Sequence, residues 1–141
     1  MLDLKQTLVN LRGFEDNEFL DQYCTLIERH ARTSKRARVT NAHHIIPKSW
    51  FKINNQEIDN SLINLVNLPY REHVLAHYYL CLCTTGKLQY ANQLAFFCLI
   101  TRKKKLNIVE KQLVHNLPMY NNIYESYCKN SKISYSRYTE D

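Results

Sequence analysis

Four of the six histidines in this 141-residue chain fall into two pairs whose spacing bears on chemistry. His73 and His77 are four residues apart, so on a helix they share one face, a turn apart, and can bind a single ion. The residues around them, Val74, Leu75, Ala76, Tyr78, Tyr79 and Leu80, are almost wholly apolar. A polar group buried in such a helix costs ~1–3 kcal/mol unless it has a partner. That partner is either a metal ion or, for an ordinary core histidine, a backbone carbonyl. His43 and His44 are adjacent, and neighbours on a strand face opposite ways. The remaining two, His30 and His115, have no patterned companions and read as ordinary surface or core residues.

Elements must hold these pairs in place. Asp16 or Asn17 can cap a helix over about 17–31, with Phe19, Leu20, Tyr23, Leu26 and Ile27 at helical spacing. Arg32–Arg38 is polar and basic and reads as a connection. Val39–Ile46 contains β-branched residues and stops at Pro47, which suits a strand. Lys48–Ser61, with Asn54, Asn55, Asp59 and Asn60, reads as a loop, and Leu62–Leu68 as a second short strand. Pro69 fits a first helical turn, so a helix follows over Tyr70–Cys83 and ends near Gly86. A further helix spans about Leu88–Arg102, one or two short helices run to about 128, and 131–141 reads as a frayed tail. The expectation is one domain of α+β class, mostly α, with histidines on the first strand and on the helix after the second.

In that order and spacing the chain resembles the HNH endonuclease family. The resemblance is carried by A-H-H-I-I-P at Ala42–Pro47 and N-L-V-N-L-P-Y-R-E-H-V-L-A-H at Asn64–His77. It covers about 39–83 and implies a ββα-metal core (the His-Me finger) flanked by N- and C-terminal helices. The Asn-x8-His-x3-His interval is the one seen in colicin-type DNases, and the EH-x3-H helix looks like that of small phage-encoded HNH nucleases. The resemblance makes His43, His73 and His77 the metal ligands and His44 the general base. Asn64 would tie down the loop between the strands and orient that base. It implies one divalent cation (Mg²⁺, Mn²⁺, Ni²⁺ or Zn²⁺) and DNA, double-stranded, as the partner, with a homodimer possible because two-fold assembly permits cutting both strands of a palindrome. Some relatives carry a four-cysteine zinc site around the core, and this chain departs from that.

The implied chemistry needs this set of side chains. Hydrolysis of a phosphodiester requires an activated water in line with the leaving oxygen and a cation on the charge developing at the phosphate. A neutral imidazole, with an ordinary pKa of ~6.5, is suited to accepting the proton of that water. Three imidazole ligands leave a coordination position open to a phosphate oxygen. The competing interpretation is a noncatalytic nucleic-acid-binding module in which the metal only staples the fold. His44 separates the two, since a structural site has no use for an uncoordinated histidine beside a ligand.

Composition is compatible with a nucleic-acid partner. Lys and Arg number 19 against 13 Asp and Glu, a formal charge of +6. Arg36 and Arg38 stand just before the first strand, Lys103 and Lys104 belong to an unbroken basic run, and Lys48 and Arg71 flank the histidines. All six are candidate phosphate contacts. Only 2 glycines and 3 prolines disfavour a turn-rich β architecture. The longest apolar run, Leu94–Ile100, falls far short of the ~20 residues of a membrane span, and the start shows no secretory signal. A soluble, cytoplasmic protein of a bacterial or phage-infected cell is expected. Five cysteines without a CxxC pair read as reduced thiols, mostly buried.

Overall fold

Asn17 opens the first long helix. In the computed structural model, which describes residues 3–31, 42–102 and 108–133, its Oδ1 accepts hydrogen bonds from the backbone N–H of Phe19 (3.0 Å) and Leu20 (3.1 Å). These satisfy donors that a helix N-terminus leaves without partners. That helix, α2 (Glu18–Ala31), follows a short α1 (Leu4–Val9) and buries Leu20, Tyr23, Cys24, Leu26 and Ile27. Glu18 and Asp21 in its first turn and Arg29 and His30 in its last complement the helix dipole.

Two three-residue strands follow, β1 (Ala42–His44) and β2 (Leu65–Asn67). They pair antiparallel in the register Ala42 to Asn67, His43 to Val66 and His44 to Leu65. Between them lie a helix, α3 (Lys48–Ile53), and a 3-10 turn over Leu62–Asn64. Helix α4 (Tyr70–Leu82) comes directly after β2, and then come α5 (Gly86–Arg102), α6 (Ile108–His115) and α7 (Tyr120–Ile133). The described residues are therefore mostly helical with one small antiparallel sheet.

Helix α4 is the centre of the packing. Ala76 and Leu80 join Leu20, Tyr23 and Ile27 of α2 and Val66 and Leu68 in one apolar cluster. Val74, Tyr78 and Cys81 join Phe96, Ile100, Val114 and Ile123 from α5, α6 and α7 in a second. A helix covered on two sides has no single polar face, and the histidines occupy the side that remains. Asn17 also donates from Nδ2 to the carbonyl of Leu82 (3.0 Å), tying the start of α2 to the end of α4.

Several boundaries differ from the sequence expectation. Part of the expected loop 48–61 is helical, because Trp50 and Phe51 pack against Leu88 and Trp50 Nε1 donates to the carbonyl of Arg12 (3.0 Å). Helix α3 stops at Asn54, followed by Asn55 in the left-handed region (φ 57°), a conformation in which Asn is several-fold enriched. The second strand is shorter than expected, since Leu62–Asn64 forms the 3-10 turn. The segment before Arg12 contributes a helix that its sequence did not announce. Helix α7 continues through Ile133, so the first residues of the expected frayed tail are helical. The part of the expected first strand before Ala42 lies outside the described residues. Among the described residues no helix is long and apolar enough to cross a membrane. Cys24, Cys81 and Cys83 are buried free thiols, while Cys98 is exposed and Cys128 half-buried.

Candidate metal centre

Pleating sends the two histidines of β1 to opposite faces. His43 is buried, at 2% exposure, whereas His44 is half-buried. Helix α4 brings His73 and His77 against His43, with ring centroids 5.2 and 5.0 Å away and both contacts edge-on. His73 Nε2 and His77 Nε2 are 3.2 Å apart. One ligand nitrogen from each of the three rings lies within 4.8 Å of the others.

The arrangement fits a divalent cation. Two imidazole nitrogens bound to one tetrahedral ion at ~2.0–2.1 Å sit ~3.3 Å apart, the spacing His73 and His77 already have. Burial lowers the pKa of His73 to about 4 and that of His77 to about 3, the neighbouring His73 adding to the latter. Burial first, and then the charges of His77, His73 and His44, hold His43 well below its ordinary value. All three rings are thus neutral at pH 7 with a lone pair each, the form in which histidine binds metals. His77 Nδ1 is a buried polar atom without a hydrogen-bond partner among the described residues; since Nε2 is the nitrogen facing His73, an ordered water at Nδ1 would satisfy it.

Three residues outside the cluster fix its surroundings. Tyr23 Oη lies 2.7 Å from His43 Nε2 and donates to the carbonyl of Ile45, also at 2.7 Å. Asn60 Oδ1 lies 2.7 Å from His44 Nε2. Asn64 is buried and staples the segment between the strands. Its Oδ1 accepts from the Ile46 N–H (2.8 Å), and its Nδ2 donates to the carbonyls of Ile46 (3.2 Å) and Asp59 (3.0 Å). Asn64 therefore holds the loop, while the hydrogen-bond partner of His44 is Asn60. Sequence reasoning missed Asn60, which looked like loop material. It also placed Tyr23 only on an apolar helix face, although a buried phenol needs a partner for its hydroxyl.

A cleft of about 630 Å³ opens onto this centre. It is lined by His43, His44, Lys48, Ser49, Lys52, His73 and His77, and by α5 residues that include Ala91, Asn92, Leu94, Ala95 and Cys98. Lys48 thus stands at the site, and Lys52, not singled out from the sequence, stands beside it. Arg71 is exposed at the start of α4 and does not line the cleft. Arg36, Arg38, Lys103 and Lys104 lie outside the described residues. Compared with known protein families, curated proteins and solved structures, the chain matches none.

Proposed function

We propose that this protein is a metal-dependent endonuclease of the HNH type that hydrolyses DNA phosphodiester bonds, with the β1–β2–α4 unit as its ββα-metal core. The observation that carries the reading is the division of labour on β1. His43 turns inward to join His73 and His77, while its neighbour His44 stays outside the cluster and faces the same cleft.

His43, His73 and His77 would hold the cation, which when bound supplies positive charge to the phosphate and an open coordination position. His44 is the general base. Its Nε2–H donates to Asn60 Oδ1, so its Nδ1 carries the lone pair that takes a proton from water. As that proton leaves, the water oxygen bonds to phosphorus and the bond from phosphorus to the 3′ oxygen breaks, the departing 3′ oxygen taking a proton from solvent water. The products, as the resemblance implies, are 5′-phosphate and 3′-hydroxyl ends. Lys48 and Lys52, which line the cleft, attract the polyanion and hold its backbone there. Asn64 keeps the segment carrying Asn60 in register with β1, so the base stays where the water must be.

The test is incubation of purified protein with supercoiled and linear DNA across Mg²⁺, Mn²⁺, Ni²⁺ and Zn²⁺. Nicked or linear product that requires one of these ions and disappears with EDTA is the expected result. DNA that is bound but left intact under every ion would overturn the reading.

A further inference from the structure

The hydroxyl of Tyr23 has one proton and two neighbours. A carbonyl oxygen can only accept, so the 2.7 Å contact with Ile45 takes the tyrosine proton. The 2.7 Å contact with His43 Nε2 must then run the other way, with Nε2 carrying the hydrogen and the phenol oxygen accepting it. Neutral imidazole has one N–H, so the lone pair of His43 is on Nδ1. Tyr23 is 0% exposed and comes from α2, an element outside the strands and helix that carry the histidines.

From this we infer that Tyr23 is a positioning residue for the metal centre: it locks His43 in the Nε2–H form and so selects Nδ1 as the atom offered to the cation. The inference rests on His43 being a ligand, as proposed above. Without the phenol, His43 would divide between two tautomers, one of which presents an N–H where a lone pair is needed. The ring would also be free to turn away from His73 and His77. The same interaction ties α2 to β1, which makes the N-terminal helix part of the site rather than a covering for it.

Groups that orient metal-binding histidines typically contribute 10–100-fold to metal affinity. The test uses the full chain and Tyr23→Phe, which keeps the ring and removes the hydroxyl. Long-range ¹H–¹⁵N spectra of metal-free protein report the His43 tautomer directly, and Zn²⁺ titration reports affinity. In the wild type, His43 should be Nε2–H before any metal is added. Tyr23→Phe should give a mixed or Nδ1–H signal and bind Zn²⁺ 10–100-fold more weakly, with an unchanged circular dichroism spectrum. A wild-type His43 found as Nδ1–H overturns the inference, and so does a variant with unaltered tautomer and Zn²⁺ affinity within twofold. The wild-type spectrum needs no variant, so a poorly folded Tyr23→Phe protein still leaves the assignment decided. Wild-type protein that binds no Zn²⁺, Mn²⁺, Ni²⁺ or Mg²⁺ would sink the metal reading itself, a result separate from the tautomer.

Discussion

His44 and Asn60 meet across the segment that joins the two strands, with 2.7 Å between the imidazole Nε2 and the amide oxygen. The contact spans sixteen residues of sequence and is made possible by Asn64, whose three hydrogen bonds hold Ile46 and Asp59 together. One histidine of β1 is thereby oriented from the loop side, and the other, His43, from α2 through Tyr23. Each ring is held at Nε2.

The Asn60 interaction predicts a specific defect. Asn60→Ala removes the acceptor while leaving Asn64 and the three-histidine cluster in place, so metal content and DNA affinity should stay near wild type. Single-turnover cleavage should fall by about tenfold or more, but by less than the ~10²–10⁴-fold expected for loss of the general base itself. Asn64→Ala should differ by lowering the melting temperature as well, because it removes three hydrogen bonds to part-buried backbone groups, at up to ~1–3 kcal/mol each. Equal cleavage rates for Asn60→Ala and wild type would remove Asn60 from the machinery.

Acid should destabilise the metal-free protein through the histidine cluster. Folded-state pKa values near 4 for His73 and near 3 for His77, with His43 also well below 6.5, mean that the unfolded chain binds protons before the folded one does. Stability is therefore fully present above about pH 6.5 and is lost as pH falls toward the folded-state values. Melting temperatures measured in EDTA from pH 7 to pH 4 should fall, and the fall should be shallower in a His73→Gln/His77→Gln double variant. Parallel curves for the two proteins would show that these rings do not carry the effect.

The cleft can be probed by its own cysteine. Cys98 is exposed and lines the cleft from α5, whereas Cys128 is half-buried on α7 and outside the cleft. Burial holds the Cys24 and Cys83 thiols near pKa 12, and raises that of Cys81 also, so these three stay unreactive. Saturating duplex DNA in EDTA should slow alkylation of Cys98 several-fold while leaving Cys128 unchanged. Replacing Lys48 and Lys52 with Gln should weaken that protection and reduce the salt slope of binding by about 0.9 for each phosphate no longer neutralised. Equal protection of both cysteines, or of neither, would place the DNA elsewhere.

Much of this site was legible in the sequence because its parts are local. His73 and His77 are one helical turn apart, and the apolar residues around them fix the helix whatever else it touches. His43 and His44 sit on a strand whose pleat separates them by necessity. What the sequence hid depends on interactions between distant segments. Asn54, Asn55 and Asp59 made 48–61 look like loop, yet burial of Trp50 and Phe51 against Leu88 makes Lys48–Ile53 a helix. That helix puts Lys52 on the cleft beside Lys48. Tyr23 looked like one more apolar position on α2, and only the packing of α2 against β2 and α4 shows its hydroxyl between His43 and Ile45. The α1 helix lacks a side-chain cap, and Leu8 is fully buried in the core that α2 and α4 share. Tertiary packing therefore accounts for a helix that propensity alone did not mark.

Base and ligand are told apart by comparing His44→Ala with His43→Ala side by side for metal content, DNA binding and single-turnover cleavage. His44→Ala should keep its metal, its fold and its DNA affinity while cleavage drops by ~10²–10⁴-fold. His43→Ala should lose metal together with activity, as should His73→Ala and His77→Ala. A His44→Ala protein that cuts DNA at near the wild-type rate, or that loses its metal as His43→Ala does, would contradict the assignment of base and ligand and leave a metal-stapled binding module in its place.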